Sequence, residues 1–217
     1  MDSIKRAGFT LIEMMVVVSI FLVLTSVVLA NYPKLNSQLT LGLVANDVAL
    51  SVRQAQQYAL GAVQRVGAPS VSVSYGIHFS TATPQEAQGY VLFADTAPVN
   101  VAPVPPGDFL YTLPPTNPND TPPAGTGTLP SSVRILRLCA ATQAQIAALP
   151  GCIASGTGPL VTSLDVVFRR PEPDMNVNGI ASTSGTPFVE AVVVLANVDG
   201  SLKREVHVTL PGQIYVK

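Results

Sequence analysis

Glu13 is the only ionisable side chain between Phe9 and Ala30, a run of 22 residues that reads FTLIEMMVVVSIFLVLTSVVLA. A carboxylate at the middle of a bilayer costs about 2.5 to 3.5 kcal/mol to insert, and less near a helix end, from which it can reach the interface. Among packed apolar helices it becomes tolerable when a cation lies beside it, because attraction between opposite charges strengthens as the local dielectric falls. The chemistry Glu13 asks for is therefore an ion pair. Between otherwise featureless apolar helices such a pair fixes the axial offset, much as one buried polar residue sets coiled-coil register.

Other reactive side chains are few. Cys139 and Cys152 are the only thiols, and His78 and His207 the only imidazoles. Two histidines in separate strand-like segments give no zinc spacing, and no G-x-S-x-G elbow, H-E-x-x-H, P-loop or dinucleotide fingerprint occurs. We expect no enzymatic activity, no metal and no cofactor. Asp174, Asn176, Asn178 and Gly179 spell D-x-N-x-N-G, the opening of a calcium loop, but Gly185 stands where the bidentate acid belongs. Between Pro171 and Pro173 on one side and Gly179 on the other, this string reads as a turn. Asn119 to Thr121 forms a glycosylation triplet, silent in most prokaryotic settings. With 12 Lys and Arg against 13 Asp and Glu the net charge is −1. No global field gathers nucleic acid, and only scattered cations (Arg134, Arg137, Arg169, Arg170, Lys203, Arg204) could do so locally.

The apolar run must be carried by an element of matching length. As a helix it would extend roughly 33 Å, close to the hydrocarbon thickness of a bilayer. Lys5 and Arg6 precede it, and a positive amino-terminal flank keeps that end in the cytoplasm while the rest is exported. A cleavable secretory signal would have a shorter apolar run with its cleavage signal behind it; here the punctuation lies in front. A plain signal anchor fits the length but gives no reason for Glu13.

Arg6, Ala7 and Gly8 followed by Phe9, Thr10, Leu11, Ile12 and Glu13 resemble the processing signature of type IV prepilins and type II secretion pseudopilins. That resemblance covers residues 5 to 30. It implies cleavage between Gly8 and Phe9 by a membrane aspartyl prepilin peptidase and methylation of the new Phe9 amine. It also implies assembly into a filament in which Glu13 pairs with the Phe9 ammonium of a neighbouring subunit.

Beyond Ala30, Pro33 removes an amide donor, which predicts a kink or brief unwinding near Asn31 before the helix resumes to about Leu60. On this amphipathic helix, spanning residues 31 to 62, Leu41, Val44, Val48, Val52, Ala55 and Ala59 form one apolar stripe. Leu35, Leu39, Leu43 and Leu50 form a second on the opposite side. The first fits the chain's own globular domain and the second fits neighbouring subunits. From Val71 the pattern changes to period two, with strands expected at 71–79, 89–94, 133–138, 163–169, 189–196, 202–210 and 213–216. Asp199 and Gly200 supply a tight hairpin between the two longest. Ten prolines fall between Pro98 and Pro130, so the segment from about 97 to 130 is an extended loop with no long helix or central strand.

The expected architecture is α+β: a leader at 1–8, a transmembrane helix at 9–30, the amphipathic helix, and a periplasmic antiparallel β domain at 70–217. In an exported domain Cys139 and Cys152 are expected to form a disulfide, with the intervening TQAQIAAL as about two helical turns. The order of strands and the closing Gly212 before a short last strand are similar to the H-class (FimT-like) minor pseudopilins. The calcium loop near the carboxyl end of major pseudopilins has no counterpart here. The resemblance implies an inner-membrane, single-pass subunit of a type II secretion pseudopilus. Its partners would be other pilin or pseudopilin subunits, the prepilin peptidase and an inner-membrane assembly platform. The alternative is a minor type IV pilin that contacts surfaces or DNA.

Overall fold

The computed structural model describes residues 8–61, 74–95, 110–111, 126–168, 174–177 and 188–217. The leader before Gly8, most of the proline-rich segment, Asn119 to Thr121, Arg169 and Arg170, and Asn178 with Gly179 lie outside the described residues. The chain divides into two compact units, Met1–Leu39 and Thr40–Lys217. Helix α1 (Leu11–Leu60) contributes to both.

In the first unit α1 carries the apolar run, long and apolar enough to cross a membrane and with none of that window buried by the described residues. Helical assignment continues without a break through Asn31 and Pro33, which corrects the expected unwinding. A proline deletes one amide, and its neighbours keep theirs. The Asn31 side chain adds a bond to the Val27 carbonyl (2.9 Å) and the Ser37 hydroxyl one to the Pro33 carbonyl (3.0 Å).

The second unit is built on two five-stranded antiparallel sheets. The first has order β3-β2-β1-β6-β7, with β1 at Ser74–Ser80, β2 at Gly89–Asp95, β3 at Thr126–Thr128, β6 at Ser163–Phe168 and β7 at Met175–Val177. The second has order β10-β9-β8-β4-β5, with β4 at Val133–Thr142, β5 at Leu160–Val161, β8 at Phe188–Asn197, β9 at Lys203–Thr209 and β10 at Ile214–Val216. The α+β class holds, and the finding beyond it is that the strands separate into two sheets. The short strands β3, β5 and β7 were not anticipated. β7 also corrects the turn expected around Asp174, since Met175–Val177 pairs with β6 instead.

One core joins the helix to both sheets. Leu41, Val44, Val48, Val52, Ala55 and Ala59, the first stripe, are all buried, together with Ala45 and Ala49. They meet the inward residues of β1 (Tyr75, Ile77, Phe79), β6 (Leu164, Val166, Phe168), β8 (Ala191, Val193, Leu195) and β9 (Val206, Val208) in a single cluster. The period-two alternation of the strands produces this directly. Polar contacts fix the helix on each side: Ser51 shares a hydrogen bond with Tyr90 of β2 (2.8 Å), and Arg53 donates to the Ile214 carbonyl of β10 (3.0 Å). Gly76 is required by packing on the other face of β1, where a Cβ would come within 2.8 Å of Phe93 and Val167.

The β8–β9 connection is wider than the tight hairpin expected at Asp199-Gly200. Ala196 pairs with Lys203, and the Asn197 amide donates to the Leu202 carbonyl (3.2 Å), leaving residues 198–201 as the loop. Gly200 supplies a positive φ there, at 70°. Asn197 closes the loop by accepting the Leu202 amide on its side-chain oxygen (3.1 Å).

Cys139 of β4 and Cys152 of helix α2 (Leu149–Ser155) are joined by a disulfide with Cα atoms 6.2 Å apart. A 3-10 segment at Gln143–Ala148 precedes α2, so the expected two helical turns divide into two helix types. This crossover packs Leu149 and Cys152 on Val192 and Val194, the outward face of the second sheet. Arg137 bonds the Ile153 and Ala154 carbonyls (3.0 Å each), and Lys203 bonds Ala154 (3.1 Å), at the end of α2. Replacing both cysteines with serine is expected to lower stability by about 3 kcal/mol, the value for closing a ring of this size. Urea denaturation of the oxidised protein and the double variant measures it, and coincident curves would show that the bond contributes nothing.

Candidate functional site

The structure places Gly8 and Phe9, the expected processing residues, immediately before α1. Gly8, Phe9 and Thr10 are non-helical and exposed, and the helix begins at Leu11. Thr10 sets that boundary: its hydroxyl accepts the Glu13 amide (3.3 Å), and its carbonyl accepts the Met14 amide (3.2 Å). Thr10 is thus the N-cap and Glu13 the third helical residue, the T-x-x-E spacing of a capping box. Phe9 and Met14 occupy the positions of the hydrophobic staple that often accompanies it. Reading Glu13 for its charge alone missed Thr10; the signal was available as Thr10-Leu11-Ile12-Glu13 ahead of an apolar run.

The other polar side chains of the run are satisfied within the helix. Ser19, Thr25 and Ser26 donate to the carbonyls of Val16, Phe21 and Val23, each at 2.8 Å. The Glu13 carboxylate, by contrast, has no hydrogen-bonding or ionic partner among the described residues. As an acid in the first turn it is also favoured by the helix dipole. A Cβ on Gly8 would meet nothing within 4 Å among those residues, so packing within the chain does not demand a glycine there. Farther along α1, Leu35, Leu39, Leu43 and Leu50 of the second stripe are all exposed, at 56–67%.

Both histidines face carboxylates of neighbouring strands. His78 of β1 lies against Asp165 of β6 (Nδ1 to Oδ1, 2.6 Å), with Tyr111 packed on its ring. His207 of β9, only 5% exposed, contacts Glu190 through Nδ1 (2.7 Å) and Glu205 through Nε2 (3.0 Å), and stacks on Tyr215 of β10. Burial holds the Tyr215 phenol above its ordinary value; the charges of Glu190 and Glu205 and the hydrogen bond to Glu190 add to it. Neither ring bonds a serine hydroxyl or a thiol among the described residues. Among the described residues no three His, Cys, Asp or Glu side chains are arranged to hold a metal ion; Glu190 and Glu205 lie on opposite ring nitrogens of His207.

The basic residues converge only in part. Strand register puts Arg134, Arg137 and Lys203 on the outward face of the second sheet, while Arg204, opposite Leu195, has the other parity. Arg137 and Lys203 are the two side chains engaged on α2.

The family described as the prokaryotic N-terminal methylation motif matches residues 4–29. Neither a curated protein nor a solved structure matches the chain. Residues 4–29 carry the type IV prepilin-like signature, and the matched stretch includes Gly8, Phe9, Thr10 and Glu13.

Proposed function

We propose that this chain is a structural subunit of a pilin-like filament, a minor pseudopilin of a type II secretion pseudopilus, built into the filament through α1. The carrying observation is that the methylation motif heads a helix whose amino-terminal apolar run is left uncovered by the described residues. Such a surface is stable in lipid before assembly and among the helices of other subunits afterwards.

Processing supplies the missing charge. Water adds to the Gly8 carbonyl carbon, the bond to the Phe9 nitrogen breaks, and a carboxylate remains on Gly8 while Phe9 gains an ammonium. Methylated once, that amine is still a cation. Within one chain the Phe9 ammonium would lie about one turn from Glu13; in the filament, as the prepilin resemblance implies, Glu13 pairs with the ammonium of a neighbour instead. The buried pair then fixes the axial offset of helices that could otherwise slide. The second stripe, exposed on α1, meets neighbouring subunits, and the sheets face outward. The subunit performs no reaction of its own. Membership of the H class rests on the strand order and the short closing strand β10. The alternative of a DNA-contacting minor pilin is weakened because Arg137 and Lys203 hold α2.

Co-expression with a prepilin peptidase and N-terminal sequencing of the membrane fraction tests the reading. The expected product starts at Phe9 and is one methyl group heavier than the unmodified chain. Material still starting at Met1 in the presence of active peptidase would overturn it.

A further inference from the structure

We propose that Thr10 is a positioning residue for leader removal: its hydroxyl stops α1 at Leu11 and so keeps the Gly8 carbonyl outside the helix, open to attack. The inference rests on the processing reading above. Its ground is the bond from the Glu13 amide to Thr10 Oγ1 (3.3 Å), with the first backbone helical bond running from Met14 to the Thr10 carbonyl (3.2 Å).

Without that hydroxyl, the Glu13 amide needs another acceptor. In an apolar surrounding an unsatisfied amide is expensive, so the backbone is driven to supply one. The acceptor a helix offers lies four residues back, on Phe9. Growth by two residues would give the Glu13 amide the Phe9 carbonyl and the Ile12 amide the Gly8 carbonyl. The second of these is the group that water must attack. Held in a helical turn, it is bonded along the axis and its carbon is shielded by the neighbouring turn. Gly8 does not by itself prevent this growth, since a glycine is an acceptable N-cap. The cap at Thr10 therefore decides whether the scissile bond is extended or helical.

The distinguishing feature of a capping role is its order of preference. Serine and asparagine cap as well as threonine or better, whereas valine copies threonine's shape but cannot accept a hydrogen bond. We expect Thr10→Ser and Thr10→Asn to be processed at the wild-type rate. Thr10→Val and Thr10→Ala should be processed about fivefold more slowly, the population change for a lost cap. The experiment uses full-length protein in detergent micelles with purified prepilin peptidase, measuring the initial rate of leader release. In parallel, the 13Cα shifts of Gly8 and Phe9 should move toward helical values in Thr10→Val and Thr10→Ala and stay put in Thr10→Ser and Thr10→Asn. Equal rates for Thr10→Val and wild type overturn the inference, as does slow processing of Thr10→Val with unmoved Gly8 and Phe9 shifts. Slow processing of Thr10→Ser and Thr10→Asn together with Thr10→Val also overturns it, because the peptidase would then be reading threonine itself. Wild-type protein left uncut between Gly8 and Phe9 removes the processing reading instead, a result distinct from all of these.

Discussion

Replacing Glu13 with valine is expected to leave membrane insertion and leader removal intact while reducing recovery of the subunit in filaments by roughly a hundredfold or more. Removing one partner of a buried ion pair costs about 3 to 5 kcal/mol, because the other charge stays buried alone. Insertion should improve slightly, since a carboxylate leaves an apolar helix. Processing should persist because the cap is made by the Glu13 backbone amide on Thr10 Oγ1, which valine retains. The two neighbouring residues thus separate in experiment: Thr10 is read out by cleavage, Glu13 by assembly. Comparing processed subunit in sheared filaments with processed subunit left in the membrane checks the prediction. Normal incorporation of Glu13→Val would show that Glu13 has no part in assembly. Glu13→Gln, which keeps the shape and a hydrogen bond but no charge, should fall between valine and wild type.

The parts of this molecule that were legible in its sequence are those with a strong local period or a local chemical oddity. The stripe from Leu41 to Ala59 could be read because a 3.6-residue repeat assigns each side chain an angle without reference to the rest of the chain, and all six of its residues are buried. Glu13 stood out because one charge in an apolar run of 22 residues, itself included, has few explanations. The partition of the strands into two sheets was illegible for the opposite reason. Alternation says which residues of a strand face inward, and an inward face looks the same whether its neighbours belong to one sheet or two. Strands β3, β5 and β7, of three, two and three residues, are too short to show a period at all. The existence of β3 and β5 depends on pairing with distant segments, as Thr128 does with Gly89 and Leu160 with Cys139. At Pro33 and at Asp199-Gly200, single-residue signals were outweighed by the regular hydrogen bonding on either side. Thr10 was a different kind of omission, a motif present in the sequence but hidden beside a louder one.

A second pair of substitutions tests the division of labour between the two stripes of α1. Val52 is fully buried in the core, and Leu50, two residues earlier, is 57% exposed. Val52→Asp places a carboxylate in the apolar cluster that also holds Tyr75, Phe79, Val193, Val206 and Val208, which contains no cation. The group must be buried charged or take up a proton, and either way the loss should be about 3 to 5 kcal/mol or more. Against a total of roughly 5 to 15 kcal/mol for a typical domain, that would leave much of the second unit unfolded at growth temperature. Leu50→Asp adds the same carboxylate to solvent and should change stability by no more than about 0.5 kcal/mol. In filaments the order of effects changes. Leu50→Asp carries a charge into the face proposed to meet neighbouring subunits, so a well-folded, correctly processed protein should fail to assemble. Thermal unfolding of the purified full-length variants reads the first effect and filament recovery the second. If Leu50→Asp melted as early as Val52→Asp, the exposed stripe would be part of the subunit's own core. If Leu50→Asp melted normally and assembled normally, α1 would use some other face to meet its neighbours, because the two stripes are separated by about half a turn of the helix.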